Sequence, residues 1–240
     1  MTIATAFLWI VLGPFGLVCL AWGFIFVTRA EFLSAVVALG FAVFSLCFLV
    51  MLAIVASRKV KPRVQLADGG TMIRPDRRLD RLLMAATFGA FGAMACYAIF
   101  APLDMIAIRA PRGDERYFVL ACAAAVLVGV FSLRQIIRRR GTSYVHLTVD
   151  GLELGNTMSS ADRSWDEVTD VTDRPQTARK SARATYITTA DGRTRELPTD
   201  WYTPNGSALR ELILFYWTHP EHRDELADGR ARTRLTQMQL

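Results

Sequence analysis

The chain has 240 residues, of which 52% are hydrophobic, and its 28 Lys and Arg against 22 Asp and Glu leave a net charge of +6. That excess belongs to one half: residues 1–140 carry 16 Lys/Arg against 7 Asp/Glu, whereas residues 141–240 carry 12 against 15. A basic balance confined to the more apolar half argues against a nucleic-acid partner.

Four charge-free apolar runs fill the basic half: Met1 to Thr28, Phe32 to Ser57, Leu82 to Leu103 and Tyr117 to Leu133. A helix of about 20 apolar residues crosses a bilayer; three runs reach that length, and the fourth does so once Ser132 to Ile137 are added. The expected fold class is therefore a four-helix transmembrane domain over residues 1–140. Its helices are placed at about 4–27, 32–56, 82–103 and 117–137, with a basic cytoplasmic loop at 57–81.

The first run lacks a charged leading segment and is longer than a signal-peptide core, so it reads as a span rather than a cleaved leader. Gly13, Pro14 and Gly16 are expected to kink or thin it, because proline removes a backbone donor and clashes with the preceding turn. Trp9 and Trp22 lie towards its ends, as interface anchors do.

Arg58, Lys59, Lys61, Arg63, Arg74, Arg77, Arg78 and Arg81 crowd the segment between the second and third runs, and Arg134, Arg138, Arg139 and Arg140 follow the fourth. The other two loops are nearly balanced in charge. Short loops rich in Lys and Arg stay in the cytoplasm, so both termini are expected there. Arg outnumbers Lys and Ala is abundant, a pattern of high-GC bacterial genomes, and the expected location is the bacterial plasma membrane.

Helices in lipid associate through close packing of small residues. Three stripes with a spacing of four are candidate packing faces: Ser34, Ala38 and Ala42; Ala85, Gly89 and Ala93; Ala121, Ala125 and Gly129. A weak echo between Gly13–Gly16 and Gly89–Gly92 suggests a duplicated helical hairpin. The runs hold no charged residue before Arg134, which argues against a proton relay or ion pathway working alone. Each carries one cysteine, namely Cys19, Cys47, Cys96 and Cys122, read as small packing residues rather than disulfide partners.

From Tyr144 the pattern changes to short strands and turns. Residues 144–149 and 152–154 read as a hairpin about Asp150-Gly151, followed by a polar loop at Gly155–Ser164. Trp165, Val168 and Val171, then 185–189 and 193–197 about Asp191-Gly192, suggest further strands. Leu209, Leu212, Ile213 and Tyr216 share one helical face, with a start near Thr203 and an interruption at Pro220. The reading is an α+β cytoplasmic domain over 141–228 and a basic tail at 229–240 whose Arg230, Arg232 and Arg234 need no order.

The segments HLTVDGLEL at 146–154, RSWDEV at 163–168 and TADGRTREL at 189–197, with the closing helix, resemble the bacterial pleckstrin-homology-like domains of small membrane proteins. The resemblance covers about 142–220. It implies a small bent β-barrel or sheet capped by a helix and used for binding and assembly rather than catalysis. Headgroup recognition in related domains uses basic residues in the first hairpin loops, where this chain offers Arg163 opposed by Asp162.

A second electrostatic candidate is the segment with Arg174, Arg179, Lys180 and Arg183, a contact for the membrane surface or a partner. His219 and His222 fall short of the three or four ligands of a zinc site. Asp166 and Glu167, being neighbours, are a poor acid–base pair. No catalytic motif, cofactor site or metal site is read. The expected function is a non-enzymatic accessory or scaffold protein with the lipid bilayer and a protein partner, or further copies of itself, as its contacts. The rivals are a lipid-acting enzyme using Asp68, Asp76 and Asp80, and an accessory subunit of a transporter.

Overall fold

The computed structural model describes residues 3–108, 115–138, 143–156, 160–174 and 184–238. The chain divides into two compact units, Met1–Ala56 with Arg81–Arg138, and Ser57–Asp80 with Arg139–Leu240.

The first unit is helical: α1 (Ile3–Thr28), α2 (Phe32–Ala56), α3 (Arg77–Phe100, which begins in the other unit) and α4 (Glu115–Arg138). Three stretches are long and apolar enough to cross a membrane, namely Ala6–Thr28, Phe32–Ala56 and Arg77–Leu103; the apolar part of α4, Arg116–Phe131, is shorter. Large apolar side chains point outward, with Ile10 71% and Leu127 73% exposed, a surface suited to lipid rather than water.

α1 remains helical through Pro14. Nearby, the fully buried Ser45 hydroxyl of α2 donates to the Leu12 carbonyl at 2.9 Å, a polar link between helices. α2 and α3 come into backbone contact at two glycines. A Cβ on Gly89 would lie 2.6 Å from the Gly40 carbonyl oxygen, and one on Gly40 would lie 2.7 Å from the Gly89 oxygen. Backbone meets backbone there, so neither position has room for a side chain.

The second unit holds two antiparallel meanders. One is β1 (Arg63–Ala67), β2 (Gly70–Arg74), β3 (Ser143–Thr148), β4 (Gly151–Asn156) and β5 (Ser160–Ser164), in that spatial order. The other is β6 (Val168–Thr172), β7 (Thr185–Thr189) and β8 (Thr194–Leu197). Then come α5 (Ser207–Thr218) and two short helices, α6 (Glu225–Asp228) and α7 (Arg230–Gln237). Val145, Leu147, Trp165, Ile187, Leu209 and Leu212 lie in one core, each at most 2% exposed.

Three sequence expectations are corrected here. Residues 57–80 are not a loop of the membrane half: they fold with the C-terminal unit as the β1–β2 hairpin, and β2 pairs with β3 through Met72 opposite His146 and Ile73 opposite Val145. The hairpin turns at Asp68-Gly69, both with positive φ (45° and 72°), the geometry of a two-residue turn matched to strand twist.

The polar stretch before Trp165 is not all loop either. Residues 160–164 form β5, with Glu153 opposite Asp162; Ala161 is its buried residue, so hydrophobic alternation was too sparse to betray a strand. The tail, finally, is α7, anchored by the buried Ala231 and Leu235.

Candidate functional site

The β1–β2 hairpin brings charge and structure together. Asp76, 7% exposed, sits just ahead of α3 and accepts from the Arg78 backbone N–H at 2.9 Å, as a helix N-cap does. Its other oxygen accepts from the Lys61 backbone N–H at 3.3 Å, so one carboxylate joins the two ends of the excursion. Asp80 pairs with Arg63, whose Nε also donates to the Pro75 carbonyl at 2.8 Å. The carboxylates of this segment other than Asp68 are thus turned to structural use, while Arg58, Lys59, Lys61, Arg77 and Arg78 stay exposed. The result is a cationic surface on the residues that immediately follow α2 and begin α3.

On the outer face of the large sheet, Tyr144, His146 and Glu153 form a polar row. The Tyr144 hydroxyl donates to Glu153, whose other oxygen lies 3.9 Å from His146 Nδ1, and His146 Nε2 is 3.0 Å from the Ala67 carbonyl. The row therefore pins the hairpin to the domain. Beside it lies a polar concavity of about 410 Å³, lined by residues including Asp150, Glu153, Asp162 and Arg163. Arg163 is engaged by Asp191 at 3.3 Å and Glu167 at 3.9 Å, so it links β5 to the β7–β8 turn of the second meander. A hydrogen bond from Thr189, one from the Arg193 backbone and the Arg163 and Arg193 charges hold the Asp191 carboxyl below its usual range.

The last helices close on a second cluster. Arg234 donates twice to the largely buried Glu225, at 2.8 and 2.7 Å, and Tyr216 donates to it at 3.1 Å. The Arg234 hydrogen bonds, aided by Tyr216, pull the Glu225 carboxyl down to about 2. Burial, and then the Glu225 acceptor, push the Tyr216 phenol up; burial does the same to Tyr202, which donates to Ser143 at 2.9 Å. Both phenols serve as hydrogen-bond donors within the fold.

His219 and His222 lie against the Phe215 ring, at 4.6 and 5.4 Å between centroids, with the Arg234 guanidinium 4.0 Å from that ring. Among the described residues no group of three or more His, Cys, Asp or Glu side chains is placed to hold a metal ion. Trp165 is buried and donates to the Thr148 carbonyl at 3.0 Å, tying the start of the second meander to the first. Asp166 and Glu167 are exposed in the short turn that follows.

Arg174 is exposed and 3.8 Å from Asp173, which Arg210 also reaches at 3.4 Å. Arg179, Lys180 and Arg183 lie outside the described residues. Of the packing stripes, Ser34, Ala38, Ala42, Ala93 and Gly129 are buried, Ala85, Gly89 and Ala125 are half-buried, and Ala121 is exposed. Ser34 accepts from the Ala107 backbone N–H at 2.9 Å. The four cysteines are free thiols.

The hairpin was the site that sequence reading missed. Its signal was present: the dipeptide Asp68-Gly69 between the alternating Val64 and Leu66 on one side and Thr71 and Ile73 on the other. Arginines on both flanks masked it as a juxtamembrane loop.

No family model, no curated protein and no solved structure matches this chain.

Proposed function

We propose that the chain is a four-span bacterial plasma-membrane protein, with both termini cytoplasmic, that acts without catalysis as an accessory or scaffold protein. Its cytoplasmic domain, of pleckstrin-homology-like architecture, docks a protein partner. The observation that carries this reading is the pairing of β2 with β3. One strand precedes α3 and the other follows α4, so both must lie on the same side of a membrane, and a crossing by α3 calls for a return by α4. A helix of 24 residues at 1.5 Å per residue is about 36 Å long, enough for an approximately 30 Å core even though its apolar stretch is shorter.

The two meanders followed by α5 support the pleckstrin-homology-like reading. The local use of Asp76, Asp80, Glu225 and Arg234 supports a binding role, since the polar groups best placed for chemistry hold the fold instead. The lipid-enzyme alternative loses two of its three carboxylates in the same way. The exposed cations at 58–61 and 77–78 suit an anionic leaflet, each contributing about 1 kcal/mol near the surface at most.

Gentle extraction of the tagged full chain, followed by native mass spectrometry, tests the proposal. The expected result is a protein partner, or further copies, at fixed stoichiometry. Recovery of the chain alone, together with conversion of an added phospholipid that stops in Asp76→Asn or Asp80→Asn at unchanged thermal stability, would overturn it.

A further inference from the structure

The helical unit contains an apolar groove of about 520 Å³, within the range of small-molecule sites, about 300–1,000 Å³. Its floor is buried: Val37, Ala38, Tyr97 and Cys122 are each at most 6% exposed. Its rims are open, with Val18 54% and Phe118 40% exposed.

The lining is confined to one end of the helices. On α1 it runs from Phe15 to Phe26, and on α2 from Val37 to Phe41, both towards the turn that joins these helices. Tyr97 is in the last turn of α3 and Phe118 and Cys122 are near the start of α4, while Ala107 and Ile108, between α3 and α4, complete the lining. From Phe15 to Phe26 the helix rises roughly 16 Å at 1.5 Å per residue. That is about half of a hydrocarbon core approximately 30 Å thick.

Depth and chemistry together select the occupant. A partner's transmembrane helix would need an apolar furrow along the whole bundle, whereas a hydrocarbon chain reaches only the middle of the bilayer. The walls offer aromatic and aliphatic surface and carry no charged side chain to receive a headgroup. We propose that this groove is a binding site for one acyl chain of a membrane lipid in the leaflet at the α1–α2 turn.

A phosphatidylcholine carrying a diazirine in the middle of one acyl chain is the probe. It is added to the detergent-solubilised full chain, photolysed, and the adducts are mapped by peptide mass spectrometry, with and without excess unlabelled phosphatidylcholine. The expected adducts concentrate on residues 15–26 and 118–122 and fall several-fold under competition. Adducts at the outward-facing Leu127 should be sparse and insensitive to competitor.

Val18→Trp, which fills the groove from an open rim, should lower the pocket adducts several-fold and leave those at Leu127 unchanged. Equal labelling of groove and outer face, or pocket labelling that competitor does not reduce, would overturn the assignment. So would a groove without adducts in a chain that co-purifies with a stoichiometric membrane polypeptide. Because the competition is read on the unaltered protein, the result does not depend on the variant folding.

Discussion

The Thr71 hydroxyl, in the hairpin between α2 and α3, donates to the Leu226 carbonyl at 2.7 Å, joining residues 155 positions apart. Thr71 is 1% exposed and Leu226 fully buried, so this bond closes the sheet against α6 out of reach of water. Thr71→Val keeps the shape and removes the donor, at a cost of about 1–3 kcal/mol for the orphaned acceptor. Thermal unfolding of the solubilised protein should show a lower midpoint and limited proteolysis an earlier cut within 57–80. Thr71→Ser should behave as the parent; equal loss in both variants would place the effect in packing instead.

The β2–β3 pairing also predicts sidedness. Cysteines introduced at Asp68, at the hairpin tip, and at Asp191, in the β7–β8 turn, should react with a membrane-impermeant maleimide from the same face. In intact bacterial cells both should stay unlabelled until the membrane is permeabilised. Labelling from opposite faces would contradict the placement of both turns in one folded unit.

Glu225 makes stability depend on acid. Its carboxyl is held at about 2 in the folded chain against an ordinary value of 4.5, chiefly by the Arg234 hydrogen bonds. A depressed carboxyl stabilises the fold above its unfolded value, and that stabilisation fades as pH falls from about 4.5 towards 2. Glu225→Gln should flatten this part of the stability–pH profile. At neutral pH the variant should lose about 1–3 kcal/mol, between exposed and fully buried pairs because the Arg234 side chain is 28% exposed. Chemical denaturation from pH 2 to 7 reads both effects.

In the helical unit, Gly89→Val should destabilise sharply, because its Cβ would press on the Gly40 carbonyl, which cannot rotate away. Overpacking of this kind costs about 1–3 kcal/mol and separates the helices where relief is possible. Gly92→Ala is the control, since a Cβ there meets nothing within 4 Å. Heat-induced aggregation in detergent should set the first apart from parent and control alike.

The apolar spans, the α5 helix and the strands about Asp150-Gly151 and Asp191-Gly192 were legible because each has a local cause. Long charge-free runs, a repeating apolar face and turn dipeptides act within a few residues. Elements whose reason lies elsewhere in the chain were not legible. β5 is a strand because β4 offers its edge, and only Ala161 of its five residues is buried. α7 carries more charge than apolar surface and is ordered by Glu225 and by contacts of Ala231 and Leu235.

The sequence by itself determined that this is a membrane-type chain with a second, polar α+β half, since hydrocarbon length and charge distribution are sums over residues. Tertiary structure decided where the boundary falls. The arginine-rich stretch 57–80 has the composition of a juxtamembrane loop, and only the hydrogen-bonded edge of β3, about 70 residues further on, makes it part of the sheet. The groove at Tyr97 and Cys122 likewise exists only once four helices meet, because composition sets how much apolar surface there is and packing decides which part of it stays uncovered.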